Sequence, residues 1–146
     1  TNTSDRYLTS AAFTVTLTDG TVCHFRVNDL PAGGKTVAFS TENAAYDGSA
    51  CAAITAETEF ADGSQLMEES VSFSVDGMTV TLTNLTQEDL GPLTVICHDT
   101  LDETEFFGGS SYAYRTETVP AGASVTVEAA DCIIGQPAVV RISRDG

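Results

Sequence analysis

A nine-residue phrase occurs twice in this chain, and it constrains the fold more than any other feature. Phe25-Arg26-Val27-Asn28-Asp29-Leu30-Pro31-Ala32-Gly33 returns as Tyr114-Arg115-Thr116-Glu117-Thr118-Val119-Pro120-Ala121-Gly122, with the aromatic residue, the arginine and the Pro-Ala-Gly turn in register. A second echo relates Asn2–Leu8 to Asn84–Leu90. Self-similarity of this kind indicates a repeated structural unit. The sequence therefore predicts two tandem copies of one small β-module.

Between the turns, apolar and polar residues alternate with a period of two, which is typical of β-strands. The alternation places Phe13, Val15 and Leu17 on one face of a first strand. It places Cys23, Phe25 and Val27 on one face of the next strand. Asp19-Gly20 and Asp76-Gly77 predict tight hairpins, and Phe107-Gly108-Gly109-Ser110 predicts another turn. We expect ten strands and little helix. The predicted fold is all-β: tandem antiparallel sandwiches from an unequal internal duplication, or one larger sandwich built from the duplicated unit.

Asp62-Gly63-Ser64-Gln65 marks the expected boundary between a first repeat, residues 1–63, and a second, residues 64–146. The repeats are unequal. The hairpin Val71–Leu82 has no counterpart before Asn2, and the second repeat has a longer hairpin around Asp99–Gly109. A sheet without its first strands leaves unpaired edges, which are sites for added strands or self-association. The first repeat is thus expected to be incomplete.

Charge excludes some partners. Six Lys and Arg against 21 Asp and Glu give a formal net charge of −15. Such a surface repels nucleic-acid phosphates and anionic membranes, and no apolar run is long enough for a spanning helix. With 42% hydrophobic residues the chain has material for a core. Few lysines, abundant Thr and Ser and many short strands favour an extracellular or cell-surface location, as a secreted protein or lipoprotein.

Five features of the second half belong together: Val80–Asn84, the strand Leu93–Cys97, Phe107-Gly108-Gly109 with Tyr112, the turn Val119–Gly122 and the closing strand Val139–Ile142. With them, residues 71–142 resemble the small immunoglobulin-like or fibronectin-like sandwich modules of secreted proteins and lipoproteins of Gram-positive gut bacteria, such as the FxLYD-type domains. The resemblance implies tandem Ig-like or fibronectin-like antiparallel sandwiches in an extracellular module, with no catalytic residues to carry over.

Two of the four cysteines fall in each half, and four cysteines allow three connectivities. In an oxidising compartment the split favours Cys23–Cys51 and Cys97–Cys132. Buried free thiols remain the alternative, since the pairs do not occupy equivalent positions. The dipeptides Cys23-His24 and Cys97-His98 suggest zinc ligands, but strand neighbours face opposite ways, so we expect an inward Cys, an outward His and no metal or other cofactor.

An acidic loop with an adjoining aromatic pair is the candidate binding loop: Asp99, Asp102, Glu103, Glu105, Phe106 and Phe107. It lacks the residue spacing of an EF-type calcium loop. Loops on a rigid scaffold commonly carry binding, although a solvated hairpin tip also explains the charges.

No nucleophile elbow, metalloprotease helix or phosphate loop is present, so an enzyme is not expected. The sequence favours a non-catalytic extracellular surface module: a structural spacer, an adhesion element or a binder of protein or glycan at the cell surface. The alternative is a carbohydrate- or small-ligand-binding domain accessory to an enzyme, against which the absence of Trp counts.

Overall fold

The computed structural model describes residues 1–42, 47–102 and 105–145. These residues form ten strands: β1 Tyr7–Leu17, β2 Val22–Leu30, β3 Lys35–Ala38, β4 Cys51–Ala61, β5 Val71–Asp76, β6 Thr79–Asn84, β7 Leu93–Thr100, β8 Glu105–Arg115, β9 Ser124–Glu128 and β10 Ala138–Arg144. No helix occurs among them. The predicted all-β class is confirmed.

The strands form three sheets, with the orders β2-β1-β4, β10-β7-β8-β3 and β5-β6-β9. All pairings but one are antiparallel. This arrangement is consistent with a β-sandwich. The predicted boundary at residue 63 falls in the segment between β4 and β5, and the division into two domains stays a prediction.

The exception is β3, which belongs to the first half of the chain but pairs in parallel with β8 of the second. The register runs from Lys35 opposite Glu105 to Ala38 opposite Gly108. Because parallel strands cannot be joined by a tight turn, such a pairing ties together segments distant in sequence. The two halves therefore share a sheet.

Two groups of buried side chains lie against this shared sheet. One involves the sheet β5-β6-β9: Val71, Val80, Leu82, Leu90, Leu93, Val95, Cys97, Val119, Ala129, Cys132 and Ile142. The other joins the two halves: Tyr7, Leu8, Ala11, Val27, Leu30, Phe106 and Val140. Burial of apolar area is the main stabilising term in folding, so the second group stabilises the contact between the halves.

Both predicted Asp-Gly hairpins are confirmed. Gly20 has a φ of 87° between β1 and β2, and Gly77 has a φ of 60° between β5 and β6. Glycine takes positive φ without steric cost. These turns set the registers that place Phe13 opposite Phe25 and Val80 opposite Val75.

The turn predicted at Phe107–Ser110 is wrong, because these residues lie inside the single strand β8. Gly108 and Gly109 have φ values of 87° and 76°. The register with β7 jumps there, from Ser111 opposite His98 to Phe107 opposite Asp99. The glycines form an irregularity of the bulge type, which bends a strand without reversing it.

The sequence echo corresponds to a hydrogen-bonded corner that occurs in both halves. The Asn84 side-chain amide donates to the carbonyls of Glu88 (2.8 Å), Val119 (3.0 Å) and Pro120 (3.2 Å). The Asn2 amide donates to those of Arg6 (2.8 Å), Leu30 (3.0 Å) and Pro31 (3.2 Å). Each Asn Oδ1 also accepts from the hydroxyl and backbone N–H two residues later. The two corners are equivalent, contact by contact.

Within the described ranges, the chain has no helix that is long and apolar enough to cross a membrane.

Candidate binding groove

An apolar groove of about 320 Å³ lies between the sheet β2-β1-β4 and strand β3. Its walls are mostly hydrocarbon: Leu8, Phe13, Val15, Phe25, Val27, Leu30, Ala38 and Ile54, with Thr1, Asn2 and Thr36 at its edges. Concave, largely apolar sites with a few polar groups are the usual form of ligand-binding surfaces. The groove is therefore the candidate site.

Strand registers place these side chains together. Phe13 on β1 lies opposite Phe25 on β2, and Val15 lies opposite Ile54 on β4. Side chains at alternate positions of paired strands share one face of the sheet. The alternation in the sequence predicted that Phe13 and Val15 share one strand face, as do Phe25 and Val27. It did not predict that this face would be left open, because β3 pairs with a different sheet.

The same face is closed in the second half. Counting from the equivalent asparagines, Phe13 and Val15 correspond to Val95 and Cys97, both fully buried. Phe13 and Val15 are only half-buried, and Ile54 is 62% exposed. Monomeric proteins rarely leave a contiguous apolar face uncovered unless something binds it.

Backbone hydrogen-bonding groups lie at the rim of the groove. β3 is the terminal strand of its sheet, and β4 is a terminal strand of its own. β4 is 11 residues long and exposed over most of its length. Edge strands present N–H and C=O groups to which another strand can pair. The site therefore combines an apolar floor with strand edges.

The predicted binding loop does not form one surface in the described residues. Asp99 is 5% exposed, and its Oδ1 accepts from the Ile134 N–H at 2.9 Å. Phe106 is 4% exposed and belongs to the core between the halves, while the half-buried Phe107 makes an edge contact with the Phe39 ring. Asp99 and Phe106 are thus buried, and only Phe107 of these three is partly open to solvent.

The remaining members of that set lie nearer the surface. Asp102 is exposed and its Oδ1 accepts from the N–H of the half-buried Glu105 at 3.2 Å. Glu103 lies outside the described residues. Asp102 lines a second cavity, of about 520 Å³, whose wall includes Phe73, Leu101 and Gln136. Its participation in binding stays a prediction.

All four cysteines are thiols in this structure. Cys97 and Cys132 are buried in one core, and burial, reinforced by the nearby Cys132, raises the pKa of Cys97 to about 12. Cys23 and Cys51 lie on β2 and β4, with β1 between them. Two strand spacings are about 9.5 Å, beyond the roughly 7 Å between Cα atoms that a disulfide spans. Cys23–Cys51 therefore does not fit this sheet, whereas Cys97–Cys132 stays a prediction.

The two histidines have different surroundings, although each follows a cysteine. The imidazole of His24 pairs with Glu42 at the surface. His98 is fully buried between the halves, where its Nε2 donates to the backbone carbonyls of Asn28 (2.9 Å) and Asp29 (2.8 Å). Burial lowers the pKa of His98 below its usual 6.5, against the opposing effect of those carbonyls. His98 thus faces away from Cys97, as predicted, but is covered by the first half.

Asp29 completes this junction. Its carboxylate accepts from the Tyr7 hydroxyl at 2.9 Å and from the Ser111 hydroxyl at 2.7 Å. Its backbone has a φ of 53°, in the left-handed region that Asp tolerates better than most residues. The Asp29 carboxylate thereby links Tyr7 of the first half to Ser111 of the second. Sequence reasoning missed this cluster, because only the fold brings positions 7, 29, 98 and 111 together.

In the part of the chain that the structure describes, no group of three or more His, Cys, Asp and Glu residues could hold a metal ion. Comparisons with protein-family models, with curated proteins and with solved structures give no match to this chain.

Proposed function

We propose that the chain is a non-catalytic extracellular module of a bacterial surface protein, acting as a rigid spacer that also binds protein. The observation that carries this proposal is the insertion of β3 into the sheet of the second half. A strand held by backbone hydrogen bonds joins the halves as one body, whereas a flexible linker would let them move independently. Rigid joints suit a module that holds a binding surface away from a cell.

Side-chain packing supports the same joint. Phe106 and Val140 of the second half pack with Leu8 and Val27 of the first. His98 and Asp29 add the buried polar contacts described above. We further propose that the equivalent asparagine corners reflect duplication of one Ig-like unit, and that the high acidic charge keeps such a surface module soluble.

Mechanical unfolding tests the spacer function. When the chain is pulled from its two ends in a force spectrometer, the halves should rupture together, in one main force peak. Two well-separated peaks of similar height would contradict the rigid joint.

Gly109 offers a matched variant at this joint. An added Cβ would meet the Arg26 carbonyl at 2.7 Å and the Ala38 side chain at 3.1 Å, both in the first half. Gly108 has a similar positive φ with open space around it, so G108A controls for backbone strain. We expect G109A to lower the rupture force more than G108A. Equal effects would show that the contact carries no load.

The second cavity favours one alternative, a carbohydrate- or small-ligand-binding domain accessory to an enzyme. It combines the 38% exposed Phe73 with the polar side chains of Asp102 and Gln136. Aromatic faces and polar groups together are what sugars require. A glycan array decides this point: a hit abolished by F73A and D102N, but kept by the control V22A at an exposed position of β2 outside that cavity, would replace the protein-binding proposal.

A further inference from the structure

We propose that the groove on the first half is the docking site of a β-hairpin with the pattern of Val71–Asn84. The second strand of this hairpin would pair antiparallel with β3 and reach Thr1. This inference rests on the proposed function and deepens its protein-binding part. The joint uses the side of β3 that pairs with β8, whereas the docking site uses the opposite edge of β3, so either proposal can fail without the other.

The first argument is the geometry of the corner. In the second half, the Asn84 N–H donates to the Ala123 carbonyl at 2.9 Å, and from there β6 runs antiparallel to β9. In the first half, the Asn2 N–H donates to the Gly34 carbonyl, also at 2.9 Å. Gly34 and Ala123 each lie three residues after the proline of the turn, and each N–H donates to that proline's carbonyl at 3.0 Å. The first half therefore begins the same ladder.

The second argument is the free edge of β3. Residues 35–38 pair with β8 on one side only, and β3 is the last strand of its sheet. Backbone groups of alternate residues point to the same edge of a strand. Because the Gly34 carbonyl faces Asn2, the backbone groups of Thr36 and Ala38 face the same side. Thr36 and Ala38 line the groove, and the counterpart of β6 would lie beside them.

The third argument is the apolar floor. In the second half, the hairpin residues Val71, Val80 and Leu82 pack in one core with Val95 and Cys97, and all five are at most 2% exposed. In the first half, Phe13 and Val15 occupy the equivalent positions beside an empty volume of about 320 Å³. A strand with apolar residues at alternate positions fits both the edge and the floor, which is the usual mode of strand addition.

The pattern of Val71–Asn84 also fits the entry to the groove. Thr83-Asn84 at the end of the natural hairpin has the same residue types as Thr1-Asn2. A strand that ends at Thr1 therefore continues into the first corner as β6 continues into the second. The occupant of the groove is therefore a hairpin of this type.

The test joins a copy of the residue 71–82 sequence to Thr1, so that Thr1-Asn2 follow it as Thr83-Asn84 follow the natural hairpin. Amide exchange measured by NMR should slow at Thr36 and Ala38 at least tenfold, and binding of a hydrophobic dye should fall. The control extension carries Asp in place of the residues copied from Val80 and Leu82. It should leave exchange and dye binding as in the unextended chain.

A second arm avoids dependence on folding of the extended chain. A synthetic peptide with the sequence of residues 70–84 is added to the unmodified full chain, and resonances of Phe13, Val15 and Ile54 should shift in a saturable way. Protection in the extension or saturable binding of the peptide supports the proposal. It is overturned if neither occurs, if the Asp control protects equally, or if a concentration-dependent dimer of the chain alone closes the groove.

Discussion

The two halves of this molecule have the same corners but different covers. Asn2 and Asn84 make the same hydrogen bonds, and the strands that follow run in the same order, β4-β1-β2 and β10-β7-β8. In the second half the sheet β5-β6-β9 buries Val95 completely, whereas in the first half β3 alone leaves the equivalent Phe13 half-exposed to a groove.

This difference separates the features that specify a local corner from those that cover the apolar face of the sheet. A corner depends on residues near in sequence and on one turn, so it survives in both halves. Covering the apolar face depends on strands that are distant in sequence. β3 starts at the position equivalent to β9, but it pairs with β8 of the other half. The same local design thus produces a sealed core in one half and an open apolar groove in the other.

Replacing the corner asparagines should have the largest effect and tests whether the corners are equal in energy. N84A and N2A each remove an amide whose two N–H groups are shared among three carbonyls and whose Oδ1 accepts a hydroxyl and a backbone N–H. Counting the two N–H groups and the Oδ1 acceptor at about 1 kcal/mol each, either change should cost about 3 kcal/mol of unfolding free energy. Urea denaturation measures this, with Q87A, which removes an exposed side-chain amide, as a surface control. A cost for N2A below a third of that for N84A would break the equivalence.

A pair of valine truncations should show the difference in cover. Val95 is 0% exposed in the sealed core, and Val15 lines the groove. V95A should cost about 2–3 kcal/mol, because it removes buried methyl groups and leaves a cavity. V15A should cost less than about 1 kcal/mol, since its surroundings are already open. Equal losses in urea denaturation would mean that the groove is closed in solution.

Much of this architecture could be predicted from residues near one another in sequence. The Asp19-Gly20 turn, the alternation through Phe13 and Val15, and the Asn2 echo all describe local geometry, and each corresponds to the structure. The Gly108-Gly109 pair misled, because positive φ serves a bulge as well as a turn. The β3–β8 pairing and the His98–Asp29 junction could not be predicted, because they depend on contacts about 70 residues apart.

The two Cys-His dipeptides can be compared through the pH dependence of stability, because His98 is buried and His24 is exposed. Burial holds the pKa of His98 below 6.5, so at mildly acidic pH the unfolded chain binds a proton that the folded chain does not. Stability should therefore fall as pH drops below about 6.5, by at most about 1.4 kcal/mol at pH 5.5. Asp29 and Tyr7 face this junction and stay unchanged in the variant below.

H98Q separates this effect from the titration of carboxylates. Glutamine keeps a donor near the Nε2 position that serves the Asn28 and Asp29 carbonyls, but it does not titrate. Chemical denaturation at pH 7.5 and 5.5 should show a smaller loss for H98Q than for the natural chain. The same loss in both would assign the pH dependence to other groups.

The smallest effect is expected at His24, the exposed member of the pair. The His24 backbone N–H donates to Glu42 Oε2 at 2.8 Å, and this bond, followed by the His24 side chain and the Ser40 hydroxyl, lowers the pKa of Glu42 to about 2. A lowered carboxyl pKa adds stability above the unfolded value, and this is lost as pH falls toward 2; at a solvent-exposed site, screening keeps that contribution small. H24A keeps the backbone donor, so an NMR titration should find the Glu42 pKa raised only part of the way to its usual 4.5. A full return would show that the side chain, and not the backbone N–H, holds this carboxylate. The comparison would then change, because an exposed histidine in the first half would matter to its partner as much as the buried one does in the second.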